Sequence, residues 1–253
     1  HWKGIRSEKS AYQTMCRAIE FFGRNRPIEE ITTQLVDDYI LWLKECKNCS
    51  NATVNRHLAS VSKICKVAHE YGVMPLKPTI HRQKETQWRM RWLSEAEINS
   101  VLSSAQQLGY DVLYDAILIS VDTGVRRGEL LRIREGDIRD GGLIVDGKNH
   151  DWRSIPLTKR AASALENRAA LVSRGRPLFP QNEWLRSPWE RVKGLSGLGD
   201  DVVWHTLRHT FASRLVQRGV SLQVVQQLMG HKTIQMTMRY AKLAPQNLSD
   251  AIS

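Results

Sequence analysis

His205-Thr206-Leu207-Arg208-His209-Thr210-Phe211-Ala212-Ser213-Arg214-Leu215 is the stretch whose periodicity governs how this chain is read. Leu207, Phe211 and Leu215 recur at the four-residue step of one helix face, so a helix over 206–218 buries those three side chains. His205 and Arg208 stand three residues apart and share another face, which sets an imidazole and a guanidinium beside one site. His209 follows His205 at i, i+4, a spacing that also invites a zinc pair. The metalloprotease pattern, however, needs Glu at position 206, and this chain has Thr206.

Downstream, Gly219 stops that helix, and a short amphipathic one over 221–229 packs through Leu222, Val225 and Leu228 before Gly230 stops it in turn. The pair resembles half of a helix-turn-helix. His231 stands just past the stop, where a side chain is free to point outward. Tyr240 follows nine residues later, near the end of a last short helix over 234–241. A tyrosine in such a place ordinarily belongs to a core or its rim.

Upstream, Ser94 and Glu97 have the spacing of a capping box that opens a helix running towards Ala105, and another helix covers 111–122. Thr123-Gly124-Val125-Arg126-Arg127-Gly128-Glu129-Leu130-Leu131 then sets glycines on both sides of an arginine pair between two apolar stretches. Such a turn can project an arginine inward, with Glu129 able to orient a nearby cation or imidazole. Leu143-Ile144-Val145, the turn signal Asp146-Gly147, and Ser154-Ile155-Pro156-Leu157 read as strand, turn and strand. Lys148 falls in that turn, where a lysine is usually solvated but where a hairpin tip can also reach a DNA groove. A helix over 158–173 follows.

The first ~80 residues are helical by the same 3.6-residue period, over 8–23, 33–46 and 52–71, with Gly23 and Gly72 as stops. Pro75 and Pro78 end the pattern. The predicted organisation is a helical bundle at 1–82, a polar, basic linker at 83–91 and a second domain at 92–253. The predicted fold class is mainly α with a small antiparallel sheet. Arg56, Lys63 and Lys66 avoid the Val54, Leu58, Val61 and Cys65 stripe of the third helix. Either they line a solvated face or they meet DNA, and the linker residues Arg89 and Arg91 are candidates to track DNA as well.

Charge narrows the partner. Lys plus Arg number 37 against 26 Asp plus Glu, a net +11 with a pI near 9.7. Residues 1–91 carry 16 basic and 9 acidic side chains, so the smaller domain is the more positive one. A polyanion fits better than an acidic small substrate. No stretch approaches the roughly 20 apolar residues of a membrane span, and no secretory leader is visible. A membrane partner is therefore not expected, and the expected location is the bacterial cytoplasm or nucleoid. The chain opens on His1, so a preceding segment is expected to be missing. Cys46 and Cys49 have the spacing of half a zinc site, but Cys16 and Cys65 interleave with apolar stripes, and buried free thiols in a reducing compartment are the plainer reading.

TGVRRGELL (123–131), GKNHDWRSIPL (147–157), HTLRHTFA (205–212), LMGH (228–231) and TMRY (237–240) together resemble the signature boxes of the tyrosine recombinase, or phage integrase, family, in order and in spacing. The likeness runs from about Leu93 to Leu243, and the helical piece before it is similar to that family's core-binding domain. The resemblance implies two domains forming a clamp around DNA. It also implies strand cleavage by Tyr240 through a 3′-phosphotyrosyl bond, with no metal, cofactor or ATP.

It further implies roles for the candidate residues. Arg126 and Arg208 would clamp the nonbridging oxygens and Lys148 would protonate the 5′-oxygen, with Lys159 or Arg153 as rivals for that last role. His205 would handle the tyrosine's proton with Glu129 in support, and His231 would bond a phosphate oxygen. The implied working form is a homotetramer on two double-stranded DNA core sites, aided by directionality or bending proteins. The tail from Leu243 to Ile252 would pack on a neighbouring protomer. A mobile-element integrase or invertase is the leading reading. A chromosome-dimer resolvase is its rival within the family, and a noncatalytic DNA-binding regulator its rival outside it.

Overall fold

Ser and Thr at helix starts and apolar side chains at the helical period account for most of the architecture seen in a computed structural model, which describes residues 8–85, 90–147, 151–180 and 183–245. The chain divides into two compact units, residues 1–88 and 89–253. In the first, α1 (Glu8–Phe22), α2 (Thr33–Glu45) and α3 (Asn51–Glu70) form the bundle that the periodicity predicts. The Thr32 and Ser50 hydroxyls cap α2 and α3 by accepting from the Leu35 and Thr53 amides. Val36, Tyr39, Leu43, Val54, Leu58, Val61 and Cys65 make the core.

Cys65 is buried as expected, but Cys16 is exposed. Ala18 and Phe22 carry the buried stripe of α1, and Cys16 lies two positions from Ala18, about 200° round the helix. Residues 79–85, polar and without an apolar period, are strapped to this bundle. Thr79 N donates to Thr33 Oγ1, and Asn55 exchanges two 2.8 Å bonds with the Gln83 backbone. Lys44 Nζ reaches Gln83 Oε1 at 2.6 Å. These polar bonds, together with Ile80, which packs against the bundle's core, hold the segment.

The second unit opens with α4 (Glu95–Gln107), whose Ser94–Glu97 capping box is formed as the sequence predicts. Then come α5 (Asp111–Thr123) and the single turn α6 (Arg127–Leu130). The antiparallel sheet runs β1 (Ile138–Arg139), β2 (Gly142–Asp146), β3 (Trp152–Pro156), in that order, with Leu143 opposite Ile155 and Val145 opposite Arg153. Asp140 and Gly141, with φ of 50° and 71°, make the tight turn that adds β1 to the predicted hairpin.

Among the described residues the unit continues with α7 (Lys159–Ala170), α8 (Arg186–Leu195), α9 (Trp204–Gln217), α10 (Leu222–Met229) and α11 (Gln235–Met238). Helix α8 is absent from the sequence reading. The predicted helix over 234–241 is shorter than expected, with Tyr240 standing between α11 and a 3₁₀ turn, Ala241–Leu243. A large core joins α4, α5, α7 and the sheet. A smaller one joins Phe211, Ala212, Val216, Val225, Met229 and Tyr240. Among the described residues no helix is long and apolar enough to cross a membrane.

Candidate functional site

The site is built where α5 ends against α9. Asp122, buried near the end of α5, accepts from Arg160 Nε and from the Thr158 hydroxyl, both at 2.6 Å, and lies 3.8 Å from Arg214 of α9. Burial disfavours its charge, but the hydrogen bonds from Arg160 and Thr158 outweigh that and hold its pKa below the ordinary value. This anchors the helix end from two sides. Gly124 then terminates α5 in the left-handed region at φ 63°, and a Cβ there would stand 2.3 Å from the Phe211 ring. Only glycine gives both the turn and the close approach of α9.

Arg126 follows and caps α6. Its amide donates to Glu129 Oε2 at 2.8 Å, its Nη1 to Glu129 Oε1 at 2.7 Å, and its Nη2 to the Gly230 carbonyl at 2.9 Å. Glu129 is 5% exposed and also receives Arg153 of β3, whose Nη2 donates at 2.7 Å. Burial alone would raise the Glu129 pKa. The hydrogen bond and charge of Arg153, with the donors of Arg126, reverse this and bring it to about 2. Of the two partners the sequence leaves open for Glu129, a cation or an imidazole, its carboxylate meets cations, these two guanidiniums, rather than the His205 that the resemblance implies. A buried carboxylate is satisfied by the nearest fixed cations, and the two arginines arrive from α6 and β3.

Arg208, 2% exposed, donates Nη1 to the Gly124 carbonyl at 2.5 Å and Nη2 to the Met229 carbonyl. Burial first, then Arg126, push its pKa down to about 9, so it remains charged at neutral pH in a site that resists the charge. Glu129 is one carboxylate facing three guanidiniums, those of Arg126, Arg153 and Arg208. The arrangement is short of negative charge and presents forked donors to an anion.

The histidines ring this cluster. His205 is exposed on α9, its pKa lowered by loss of surrounding water and then by Arg208, Arg126 and Arg239. His231 follows Gly230, which ends α10 in the left-handed region at φ 59°. Its Nδ1 lies 2.9 Å from Thr237 Oγ1, so the ring is half-buried and tied rather than free to point outward. Burial and the charge of Arg208 bring its pKa to about 4.

Tyr240 is 1% exposed, and its hydroxyl lies 2.7 Å from His209 Nδ1. Burial raises the phenol to about 12, against the opposing pull of Arg208 and Arg239. Arg126, Glu129, Arg208, His231 and Tyr240 are thus gathered around α9 and the end of α10. The sequence reading missed His209 as the partner of Tyr240, Arg153 as the partner of Glu129, and Arg239.

Lys148 and Arg89 lie outside the described residues, as do residues 246–253 of the tail. Gly147 N donates to Asp151 O at 3.1 Å, at the two ends of the segment outside the described residues. Arg56, Lys63 and Lys66 are exposed on α3, off its buried stripe, with Lys66 3.7 Å from Glu70. Arg91, expected on DNA, is instead engaged within its own unit. It reaches Asp201 Oδ2 at 2.9 Å and binds the Glu97 carboxylate, bringing Glu97 to about 2.

Comparison with known proteins gives the family and the fold. Residues 91–247 match the phage integrase family and residues 3–84 the phage integrase SAM-like domain. The chain is 28% identical to the integrase of Escherichia phage 186 over 211 residues, 81% of this chain and 61% of that protein. It is 28% identical to tyrosine recombinase XerD of Pseudomonas aeruginosa over 249 residues, 90% of this chain and 83% of that one. The fold is shared with the Tn1549 transposon integrase solved with circular intermediate DNA, at a TM-score of 0.80 and 21% identity over 99% of this chain and 94% of that one. It is shared too with a lambda integrase dimer bound to a core site, at 0.74 and 24% over 92% and 91%. The chain spans about three fifths of the phage 186 integrase and most of XerD. With its larger unit matched almost throughout and the smaller one matched beside it, the chain belongs to the phage integrase family.

Proposed function

We propose that the protein is a site-specific DNA recombinase. Tyr240 attacks a scissile phosphodiester, forming a 3′-phosphotyrosyl bond and releasing a 5′-hydroxyl that attacks the phosphotyrosine of a partner strand. The phosphoester bond is exchanged rather than lost, so the cycle needs no ATP. The observation that carries this reading is the cluster of Arg126 and Arg208 beside a buried tyrosine, with a single carboxylate to neutralise it. A phosphodiester gains charge on its nonbridging oxygens as it is attacked, and fixed forked donors stabilise that gain.

In this reading Arg126 and Arg208 exchange backbone carbonyls for phosphate oxygens. His231, neutral at pH 7, donates from its second nitrogen. Lys148, in the turn between β2 and β3, protonates the departing 5′-oxygen. The exposed basic residues of α3 hold the duplex. Two duplexes present four strands to be cut, and each chain carries one Tyr240, so the working assembly is a homotetramer on two core sites. Bending or directionality proteins act on the DNA beside it. The element served is a phage or another mobile element. A chromosome-dimer resolvase uses the same chemistry and would recombine two chromosomal copies of one site instead.

The test begins by selecting bound duplexes from a random-sequence pool and nicking the selected site, so that cleavage is trapped. Wild-type protein yields an SDS-resistant DNA adduct and Tyr240→Phe yields none. If no site is selected, or if the adduct persists in Tyr240→Phe, the reading is wrong.

A further inference from the structure

Helix α9 carries three site-facing groups at i, i+3 and i+4: His205, Arg208 and His209. Arg208 has a role in the reaction proposed above, and the family resemblance assigns the tyrosine's proton to His205, whereas the proton acceptor argued below is its neighbour one turn on. His209 has no role in that reaction, yet its Nδ1 is the atom found 2.7 Å from the Tyr240 hydroxyl. We propose that His209 is a catalytic residue of the strand-cleavage step, holding the Tyr240 hydroxyl at Nδ1 and taking its proton as the phosphorus–oxygen bond forms. This rests on the recombinase reading.

Three features of the structure carry it. First, Tyr240 sits in an apolar wall of Phe211, Ala212, Val216, Val225 and Met229, where a phenolic proton without a partner would be costly. The hydroxyl therefore donates to Nδ1, and the ring carries its own proton on Nε2. Second, the His205 ring meets the His209 ring edge to face, with centroids 4.8 Å apart at 90°, and this fixes the imidazole plane. Third, burial first, and then the groups facing the ring, keep it neutral and able to accept: Arg208 and His205 on its own helix, Arg239 before Tyr240, and His231 beyond α10.

At rest the proton stays on the tyrosine. Burial raises the phenol and lowers the imidazole, so both shifts oppose transfer. Attack changes that balance, because a phenolic oxygen bonded to phosphorus holds its proton far less tightly, and the arriving phosphate favours an imidazolium. The Tyr240 Oη–P bond forms, the P–O5′ bond breaks, the phenolic proton passes to Nδ1, and the 5′-oxygen takes a proton from the general acid. Resealing runs the same transfers backwards.

The experiment measures the first-order rate of adduct formation on the nicked, selected duplex, with protein saturating, for wild type, His209→Ala and His209→Asn. The Asn amide can hold the hydroxyl near the place of Nδ1 but cannot take its proton. Both variants are expected to bind the intact duplex within about 2-fold of wild type and to lose about 10² or more in rate; His209→Asn, which keeps a partner for the hydroxyl, is expected to unfold at a similar temperature and His209→Ala at a lower one. The wild-type rate falls as pH is lowered through the imidazole's protonation, and in His209→Asn, where His205 and His231 still titrate, that fall is reduced. If both variants stay within about 3-fold of wild type, or His209→Asn keeps the acid fall undiminished, the proposal is wrong. The absence of any wild-type adduct would instead reject the recombinase reading.

Discussion

Replacing Glu129 by Gln keeps the shape of the side chain and one acceptor for the Arg126 amide, but removes the single carboxylate between Arg126 and Arg153. The magnitude follows from how strongly the folded protein holds that charge. Its pKa is about 2 against an ordinary 4.5, and at 1.36 kcal/mol per unit the difference is about 3 kcal/mol. At 5% exposure solvent does little to screen the pair. Breaking a buried ion pair by removing one partner typically costs 3–5 kcal/mol, which agrees. Urea unfolding of wild type and Glu129→Gln at pH 7, followed by tryptophan fluorescence, should show that loss.

The sign of the pH dependence is fixed as well. A depressed carboxylate contributes stability that is present above 4.5 and lost as pH falls towards 2, so the two proteins should converge over that range. A difference below about 1 kcal/mol at pH 7, or one that persists undiminished at pH 2.5, would refute the claim that Glu129 is the charge anchor of the arginine cluster.

Gly124→Ala forces a left-handed φ on a residue with a Cβ and drives that Cβ into Phe211. A loss of about 2–6 kcal/mol in urea unfolding is expected, with adduct formation falling in step. In Arg208→Lys a point charge replaces a fork that spans the Gly124 and Met229 carbonyls. Its adduct rate should drop by about 10³ or more while duplex binding in a gel-shift assay changes little. His209 and His231 are both held near 4 by burial and neighbouring cations. The unfolded chain therefore takes up protons below about 6.5 that the folded chain refuses until about 4, and stability should fall as pH drops through that window. A double His209→Asn, His231→Asn variant should show a smaller drop in urea midpoint between pH 7 and 5.

The helices carrying the site were legible because their apolar side chains repeat at 3.6 residues and their ends carry Ser, Thr or Gly, as at Ser94, Gly124 and Gly230. Helix α8 escaped because Pro188 and Gly194 interrupt it and only Trp189 and Val192 keep an apolar period. Its Lys193 is buried against Glu190 and Asp200, which no hydropathy pattern anticipates. Strand β1, two residues long, is too short to show alternation. The candidate residues stood out through their order and spacing, but the partners they meet in the structure did not.

Glu129 could be foreseen as a carboxylate that orients something. That it holds Arg153, opposite Val145 in the sheet, depends on strand register. His209 was visible only as half of an i, i+4 histidine pair. Its partner lies 31 residues away and is brought to it by the turn after α10. Local periodicity carries no information about such pairings.

The account stands on Tyr240 as the atom that joins DNA to protein. The most direct measurement is to digest the trapped adduct with trypsin and nuclease and to sequence the modified peptide by mass spectrometry. Cleavage after Arg239 and Lys242 isolates Tyr240-Ala241-Lys242. The account predicts this tripeptide carrying a nucleotide through a 3′-phosphate on Tyr240, with a free 5′-hydroxyl on the released strand. A nucleotide on any other residue, or a 5′-phosphate linkage, would contradict it.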